Sequence, residues 1–436
     1  MVKIIHTADT HLGYRARRGT INKWAIENYS KPFEQDIYDA FLQIIDEISH
    51  RNDIDFLVHC GDLFHHPSNL SSYPPLEPAR RVLKQGLDMF FNVTNNQVPF
   101  IYIEGNHGIF RGYEYTPIES HINKEQYPNL FYFKERDLLE AIKLNKSLSL
   151  EFPDKKVKFY LFPYFEFKTF ETYKSAYDNW IKNQQPNIND GYINIAVAHG
   201  SIGDETLHNK VNSDDFGYDY VALGHEHGLK QLSRNHFYSG SLLPMNFKER
   251  YENQSYLIVE IDGNTKKLTI EKRFTDNLLE RPFEIIQIDT NPKQSTKDLE
   301  NQIYRELDKF ITKEGFNSKT SARLKLSFVG EITYEKNWQI NELISKIRRD
   351  CFSQPEKYNI LQLIWKISDI SENFEHDISA GMIQDYILEK PDDEFKEFVQ
   401  EKLREDKTQY NLDKLSEFGM KAIKKALKIM EKEKEV

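Results

Sequence analysis

The sequence predicts an α/β protein with a smaller α+β unit behind it and a helical tail. Three observations predict this. Short β-rich runs alternate with amphipathic helical stretches from residue 1 to about 275. Polar residues fall just past the ends of those runs. The alternation then gives way to a different pattern near residue 276.

The β-rich runs come in order as "VKIIHTA", "IDFLVHC", "PFIYIE", "VKFYLFPYF", "YINIAVAH" and "DYVALGH". Between the first two lies "EQDIYDAFLQIIDEISHR", where Ile37, Phe41, Ile44, Ile45 and Ile48 recur at helical spacing. Strand–helix–strand alternation indicates an α/β sheet. "QSYLIVEI" and "KKLTIEKRFT" follow without helices and read as an antiparallel closing sheet. Residues 276–385 read as the α+β unit: "RPFEIIQIDTNPKQSTKDLENQIYRELDKFI" is strand, turn and helix, "SARLKLSFVG" a strand, and "WQINELISKIRRD" a helix. In residues 391–436, Phe395, Phe398, Val399 and Leu403 share one helical face, and Leu412, Leu415, Phe418, Ala422, Ile423, Ala426 and Met430 another. This is an amphipathic helical pair, packed on the body or reserved for a partner.

Composition sets limits. A chain of 436 residues exceeds one ordinary core, and 39% hydrophobic residues are enough to fill two or three. The net charge of −10 excludes a globally basic surface, so any nucleic-acid surface is a local patch. Cys60 and Cys351 are the only cysteines, which fits a reducing compartment and argues against a disulfide scaffold or a cysteine zinc site. The chain opens "MVKIIHTADTH", without a basic stretch leading into an apolar one, and no run approaches ~18 apolar residues. A cytoplasmic protein with no membrane partner is expected.

The strand ends carry the chemistry. Asp9 and His11 follow the first run, Asp62 and His65 the second, and Asn106 and His107 the third; His199 closes the fifth, and His225 and His227 stand at the end of the sixth. Ligands bind at the carboxyl ends of strands in α/β sheets. Asp, Asn and His suit divalent transition metals, and a carboxylate is able to bridge two ions. Each motif alone is weak: Gly-Asp is first a turn signal, and a lone histidine is more often a core or surface residue. Five in order, each closing an apolar run, leave chance little room. Gly61, Gly105, Gly200 and Gly224 would let the backbone turn sharply beside the ions. His6 and His59 lie inside strand runs and read as structural, while His66 stays undecided.

This ordered set resembles the calcineurin-like metallophosphoesterases, and among them the Mre-eleven and SbcD type nucleases of DNA double-strand-break repair. "HTADTHLGYR", "QDIYDAF", "GDLFH", "VALGHEH" and "YSGSLLPMNFKE" carry the resemblance over residues 1 to about 265. It implies a metallophosphoesterase β-sandwich flanked by helices over 1–275, a DNA-capping unit over 276–385 and a docking element over 391–436. It also implies two divalent ions per chain, expected to be Mn2+. Asp9, His11 and His227 would hold the first ion, Asn106, His199 and His225 the second, and Asp62 would bridge. His107 would handle transition-state charge or the leaving oxygen's proton, with His65 in support. Gly108 stands where the family usually has Asp or Glu, so a carboxylate that orients a neighbour is missing; Glu104 or Glu114 could take its place.

The implied partners are DNA, as duplex ends or single strands, and a Rad-fifty-type ATPase bound by the 391–436 helices. Arg15, Arg17 and Arg18 directly after the first loop, and Lys319, Arg323, Lys325, Lys346, Arg348 and Arg349 in the smaller unit, are candidate contacts to a phosphate backbone. The 77–95 helix is apolar on two sides, Val82, Met89 and Val93 on one and Leu83, Leu87, Phe90 and Phe91 on the other. One side can face the sheet and the other needs cover, for which the resemblance implies a homodimer, the alternative being the chain's own loops. A slow DNA-tethering scaffold and an enzyme of small phosphodiesters are the rival functions.

Overall fold

The computed structural model describes residues 1–14, 21–22, 33–65, 77–107, 125–165, 167–200, 217–275, 278, 281–312, 321–332 and 334–367. The chain divides into two compact units, Met1–Ser371 and Glu372–Val436, and everything described lies in the first. The helical pair expected over 391–436 is therefore outside the described residues, as are Arg15, Arg17, Arg18, His66, Gly108, Glu114 and Lys319.

In chain order the elements begin with β1 (Val2–Thr7), α1 (Phe33–Ser49), β2 (Phe56–His59), α2 (Glu77–Val93), β3 (Phe100–Ile103), β4 (Leu130–Phe133) and α3 (Glu135–Leu144). Next come β5 (Ser149–Phe152), β6 (Val157–Phe162), α4 (Phe167–Lys182), β7 (Ile193–His199), β8 (Tyr220–Gly224), β9 (Lys230–Gln231) and β10 (His236–Tyr238). They end with β11 (Ser255–Ile261), β12 (Leu268–Phe274), β13 (Phe283–Thr290), α5 (Thr296–Ile311), β14 (Ala322–Gly330), α6 (Tyr334–Ser353) and β15 (Ile360–Ile367).

Two six-stranded sheets form a sandwich, ordered β12-β11-β1-β2-β3-β4 and β5-β6-β7-β8-β10-β9. The apolar core between them joins Ile4, Phe56, Val58 and Val259 of one sheet to Phe159, Leu161, Ile195 and Ala222 of the other. Helices α1 and α2 cover the outer face of the first sheet, with Ile37, Phe41, Ile44, Ile45 and Ile48 all buried as their spacing predicts. Helices α3 and α4 cover the second. Strands β2, β3, β7 and β8 are buried at every position, which explains why they read as unbroken apolar runs. Fully burying one such side chain is worth ~1.5–3 kcal/mol.

Strands β11 and β12 do not make a separate closing sheet. β11 pairs antiparallel with β1 from Val2↔Ile261 to His6↔Leu257, and so extends the first sheet. The smaller part is a three-stranded sheet, β13-β14-β15, parallel throughout, with α5 and α6 as crossovers. It therefore winds as an α/β unit. Its third strand, "ILQLIWKI", is legible in the sequence only as another apolar run.

The small sheet is seated on the sandwich. Arg281 donates to both Asp36 oxygens, at 2.5 and 3.1 Å, and to the Ser321 carbonyl at 2.6 Å. Phe247 meets Phe283 edge to face with ring centroids 4.4 Å apart. Among the described residues no helix is long and apolar enough to cross a membrane.

Candidate metal centre

The site lies where β1, β2, β3, β7 and β8 end. The loops after β1 and β2 run side by side and are tied by backbone bonds: Asp9 N–H to Gly61 O at 3.0 Å, His11 N–H to Asp62 O at 2.9 Å, and His65 N–H to Leu12 O at 2.9 Å. Asp9, His11 and Asp62 have φ of 51°, 51° and 53°, and His225 has 103°. This left-handed backbone costs a non-glycine residue ~1–3 kcal/mol and persists where the surroundings impose it. The other described non-glycine residues with positive φ are Asn95, Asn96, Asn145, Lys156, Lys266 and Asn359, none of them Asp or His. The strained Asp and His residues are thus gathered in one place.

Glycines permit the approach. A Cβ on Gly61, at φ 98°, would stand 2.1 Å from His199 Nδ1. One on Gly105 would stand 2.2 Å from Asp62 Oδ1. Gly105 therefore serves close approach rather than a turn.

All seven expected ligands converge. Side-chain atoms of Asp9, His11 and His227 lie within 4.8 Å of one another, as do those of Asp9, Asp62 and His199. Asn106 Oδ1 is 2.8 Å from His199 Nε2 and 2.9 Å from His225 Nδ1. Asp62 Oδ2 lies between the two sets, 3.9 Å from His11 Nε2 and 3.5 Å from His199 Nε2. His65 and His107 stack at 4.6 Å and 24°, each about 5 Å from the His11 ring (5.1 and 5.0 Å). His11, His65 and His107 also offer three converging nitrogens.

The donor set fits cations. Asp9 Oδ1 is buried without a hydrogen-bond partner, although Oδ2 accepts the His225 N–H at 2.8 Å. A buried unpaired carboxylate oxygen is costly unless a cation or donor meets it. His199 donates Nδ1–H to the Cys60 carbonyl at 2.7 Å, so in the neutral ring Nε2 turns a lone pair on Asn106 Oδ1. His227 donates Nδ1–H to Glu249 Oε1 at 2.9 Å, so in the neutral ring the lone pair is on Nε2, 3.0 Å from His11 Nε2. A lone pair turned on an amide oxygen, as in the neutral His199 ring against Asn106, is what a shared cation satisfies. Burial pushes the Asp9 carboxyl up to about 7. Burial acts on Asp62 too, but His199 and His11 override it and hold that carboxyl well below the usual range.

Other candidates fare differently. Glu104 does not serve the site as a substitute carboxylate: burial pushes it up to about 8, and it accepts the Glu135 N–H at 3.0 Å, at the start of α3. Arg323 is not a surface contact for DNA. It is 2% exposed, donates Nε–H to Gln362 at 2.8 Å, and stacks on Phe33 at 3.8 Å and Phe283 at 4.2 Å, because its strand forms the seam with the sandwich. Lys325 and Arg348 are half-buried, Arg348 lying 5.5 Å over Trp365, and Arg349 is exposed. Lys346 pairs with Glu300 at 2.7 Å. On α2, Leu83, Leu87, Phe90 and Phe91 are buried, whereas Val82 and Met89 are half-buried and Val93 is 42% exposed. His6 is buried against Tyr220 and His59 against Thr10. Sequence reasoning missed Glu249; its only signal was its place at the end of "YSGSLLPMNFKE".

A family model described as Calcineurin-like phosphoesterase matches residues 2–229, a span that includes all nine strand-end residues. The chain is similar to the SbcD subunit of the nuclease SbcCD from Staphylococcus epidermidis, 27% identical over 285 residues, covering 60% of this chain and 67% of that protein. It is also similar to the SbcD subunit of the same nuclease from Staphylococcus saprophyticus, 28% identical over 308 residues, covering 66% and 72%.

Proposed function

The chain belongs to the calcineurin-like phosphoesterase family, and we propose that within it this protein is a Mn2+-dependent nuclease that hydrolyses phosphodiester bonds at DNA double-strand breaks. One observation carries the reading: seven Asp, Asn and His side chains from five strand ends converge, and one buried carboxylate oxygen among them has no partner. In this reading Asp9, His11 and His227 would hold one divalent ion, Asn106, His199 and His225 a second, and Asp62 would serve both. When bound, the ions supply Lewis-acid stabilisation of the phosphate and a water activated at neutral pH.

The protein's part is orientation and proton transfer. The Cys60 carbonyl and the Glu249 carboxylate fix the ring nitrogens of His199 and His227, leaving Nε2 free to coordinate. His107, half-buried and stacked on His65, passes a ring proton to the leaving oxygen. His65 keeps that ring oriented from the side of His11, its Nδ1 being 3.2 Å from His11 Nδ1.

DNA as substrate is supported by the two relatives, both named as nuclease subunits. That name also supports a partner subunit, here a Rad-fifty-type ATPase docked on residues 391–436. We assign DNA-backbone contacts to Arg15, Arg17, Arg18, Lys325, Arg348 and Arg349, and a homodimer to the side of α2 carrying Val82, Met89 and Val93.

The test is digestion of end-labelled duplex and single-stranded DNA with Mn2+, Mg2+ or chelator. Cleavage in Mn2+ that chelator abolishes is expected. Hydrolysis of bis(p-nitrophenyl) phosphate without any DNA cleavage would favour a small-phosphodiester enzyme, and metal-independent DNA binding without cleavage a tethering scaffold.

A further inference from the structure

We propose that Glu249 and Arg323 are positioning residues for His227, forming a hydrogen-bonded path by which the small sheet sets the direction of a metal-binding ring. This rests on the metal-centre reading above.

The path is continuous. Arg323, on β14, donates Nη2–H to the Met245 carbonyl at 3.1 Å. The Met245 N–H donates to Glu249 Oε2 at 2.6 Å. Glu249 Oε1 accepts the His227 Nδ1–H at 2.9 Å, and also the side-chain N–H of Asn246. His227 Nε2 then faces His11 Nε2 at 3.0 Å. Residues around Met245 are thus gripped from both sides, by Glu249 and by the small sheet.

Each link is directional. The Arg323 guanidinium lies against Phe33 and Phe283 and is tied through Nε to Gln362, which holds Nη2 on the Met245 carbonyl and leaves Nη1 buried without a hydrogen-bond partner. Glu249 is 7% exposed, and its backbone carbonyl accepts Gln254 Nε2–H at 2.9 Å, which anchors the turn it sits on. Burying a guanidinium is expensive, and the hydrogen bonds to Gln362 and the Met245 carbonyl offset part of that cost. What the arginine adds is a fixed donor on the Met245 carbonyl. A shift of the small sheet, as on binding DNA or a partner, would therefore move Met245, Glu249 and His227 together.

The path is tested by a double-mutant cycle on Mn2+ affinity, measured calorimetrically on the full chain, with circular dichroism to establish folding. Wild type is expected to bind two ions. Glu249→Gln should weaken one of them about 10–100-fold and spare the other, the usual cost of losing a partner behind a ligand. Arg323→Met should weaken the same ion, and the double variant should be no weaker than Glu249→Gln alone. Arg323→Lys, which keeps a donor, should recover part of the loss and replaces Arg323→Met if that variant does not fold. Additive effects, or two ions bound with unchanged affinity by Glu249→Gln, would overturn the path while leaving the metal centre standing. A wild type that binds no Mn2+ would overturn the metal centre itself, and the path with it.

Discussion

His107 donates its backbone N–H to Asp62 Oδ1 over 2.8 Å. The residue assigned to proton transfer is thereby registered, through its main chain, on the carboxylate assigned to join the two ions. The link survives replacement of the His107 side chain by any residue other than proline. Binding and chemistry should therefore separate there.

His107→Gln should lower kcat by ~10²–10⁴, the usual contribution of a general acid or base. Mn2+ stoichiometry and DNA affinity should stay at wild-type values, because the amide that holds Asp62 is unchanged. Single-turnover kinetics with parallel Mn2+ titration checks this. Loss of metal along with turnover would make His107 a ligand.

Gly105→Ala should damage the centre without replacing a ligand. The new Cβ would stand 2.2 Å from Asp62 Oδ1, so the carboxylate must move. Weaker Mn2+ binding with a native circular dichroism spectrum is expected. Wild-type affinity would mean that the loop yields instead.

Arginines in the small sheet and its helices should divide by burial. Arg349→Ala, at an exposed position on α6, should weaken DNA binding, flatten its salt dependence by about one unit of slope, and leave the melting temperature alone. Arg323→Met should lower the melting temperature by several degrees through the seam it fills. Anisotropy across a salt series and thermal melts distinguish them. A salt slope unchanged in Arg349→Ala would remove that residue from the interface.

Deletion of residues 391–436 should leave melting temperature and cleavage nearly intact while abolishing the complex with a Rad-fifty-type ATPase. Co-purification of the two chains measures it. A large fall in melting temperature would place the helices on the body of the protein instead.

Much of this was legible in the sequence because it depends on local pattern. Ile37, Phe41, Ile44, Ile45 and Ile48 mark α1 by spacing, and Asp9, Asp62 and His199 stand out because polar residues end apolar runs. What failed depends on distant partners. β11 pairs with β1 across more than two hundred residues, and nothing local reveals that register. Arg323 reads as a surface cation, since its cover, Phe33 and Phe283, comes from elsewhere in the chain. Glu249 carries no motif of its own and acquires its role only by meeting His227 in space.

Asp62 Oδ2 lies within 3.9 Å of both His11 and His199, placed to serve the pair of ions proposed above. Metal content and cleavage of end-labelled DNA, measured together on wild type and Asp62→Ala in Mn2+, test that proposal most directly. Two ions and chelator-sensitive cleavage are expected for wild type, with both lost in Asp62→Ala while the protein stays folded. Two ions and full cleavage retained by Asp62→Ala would contradict it.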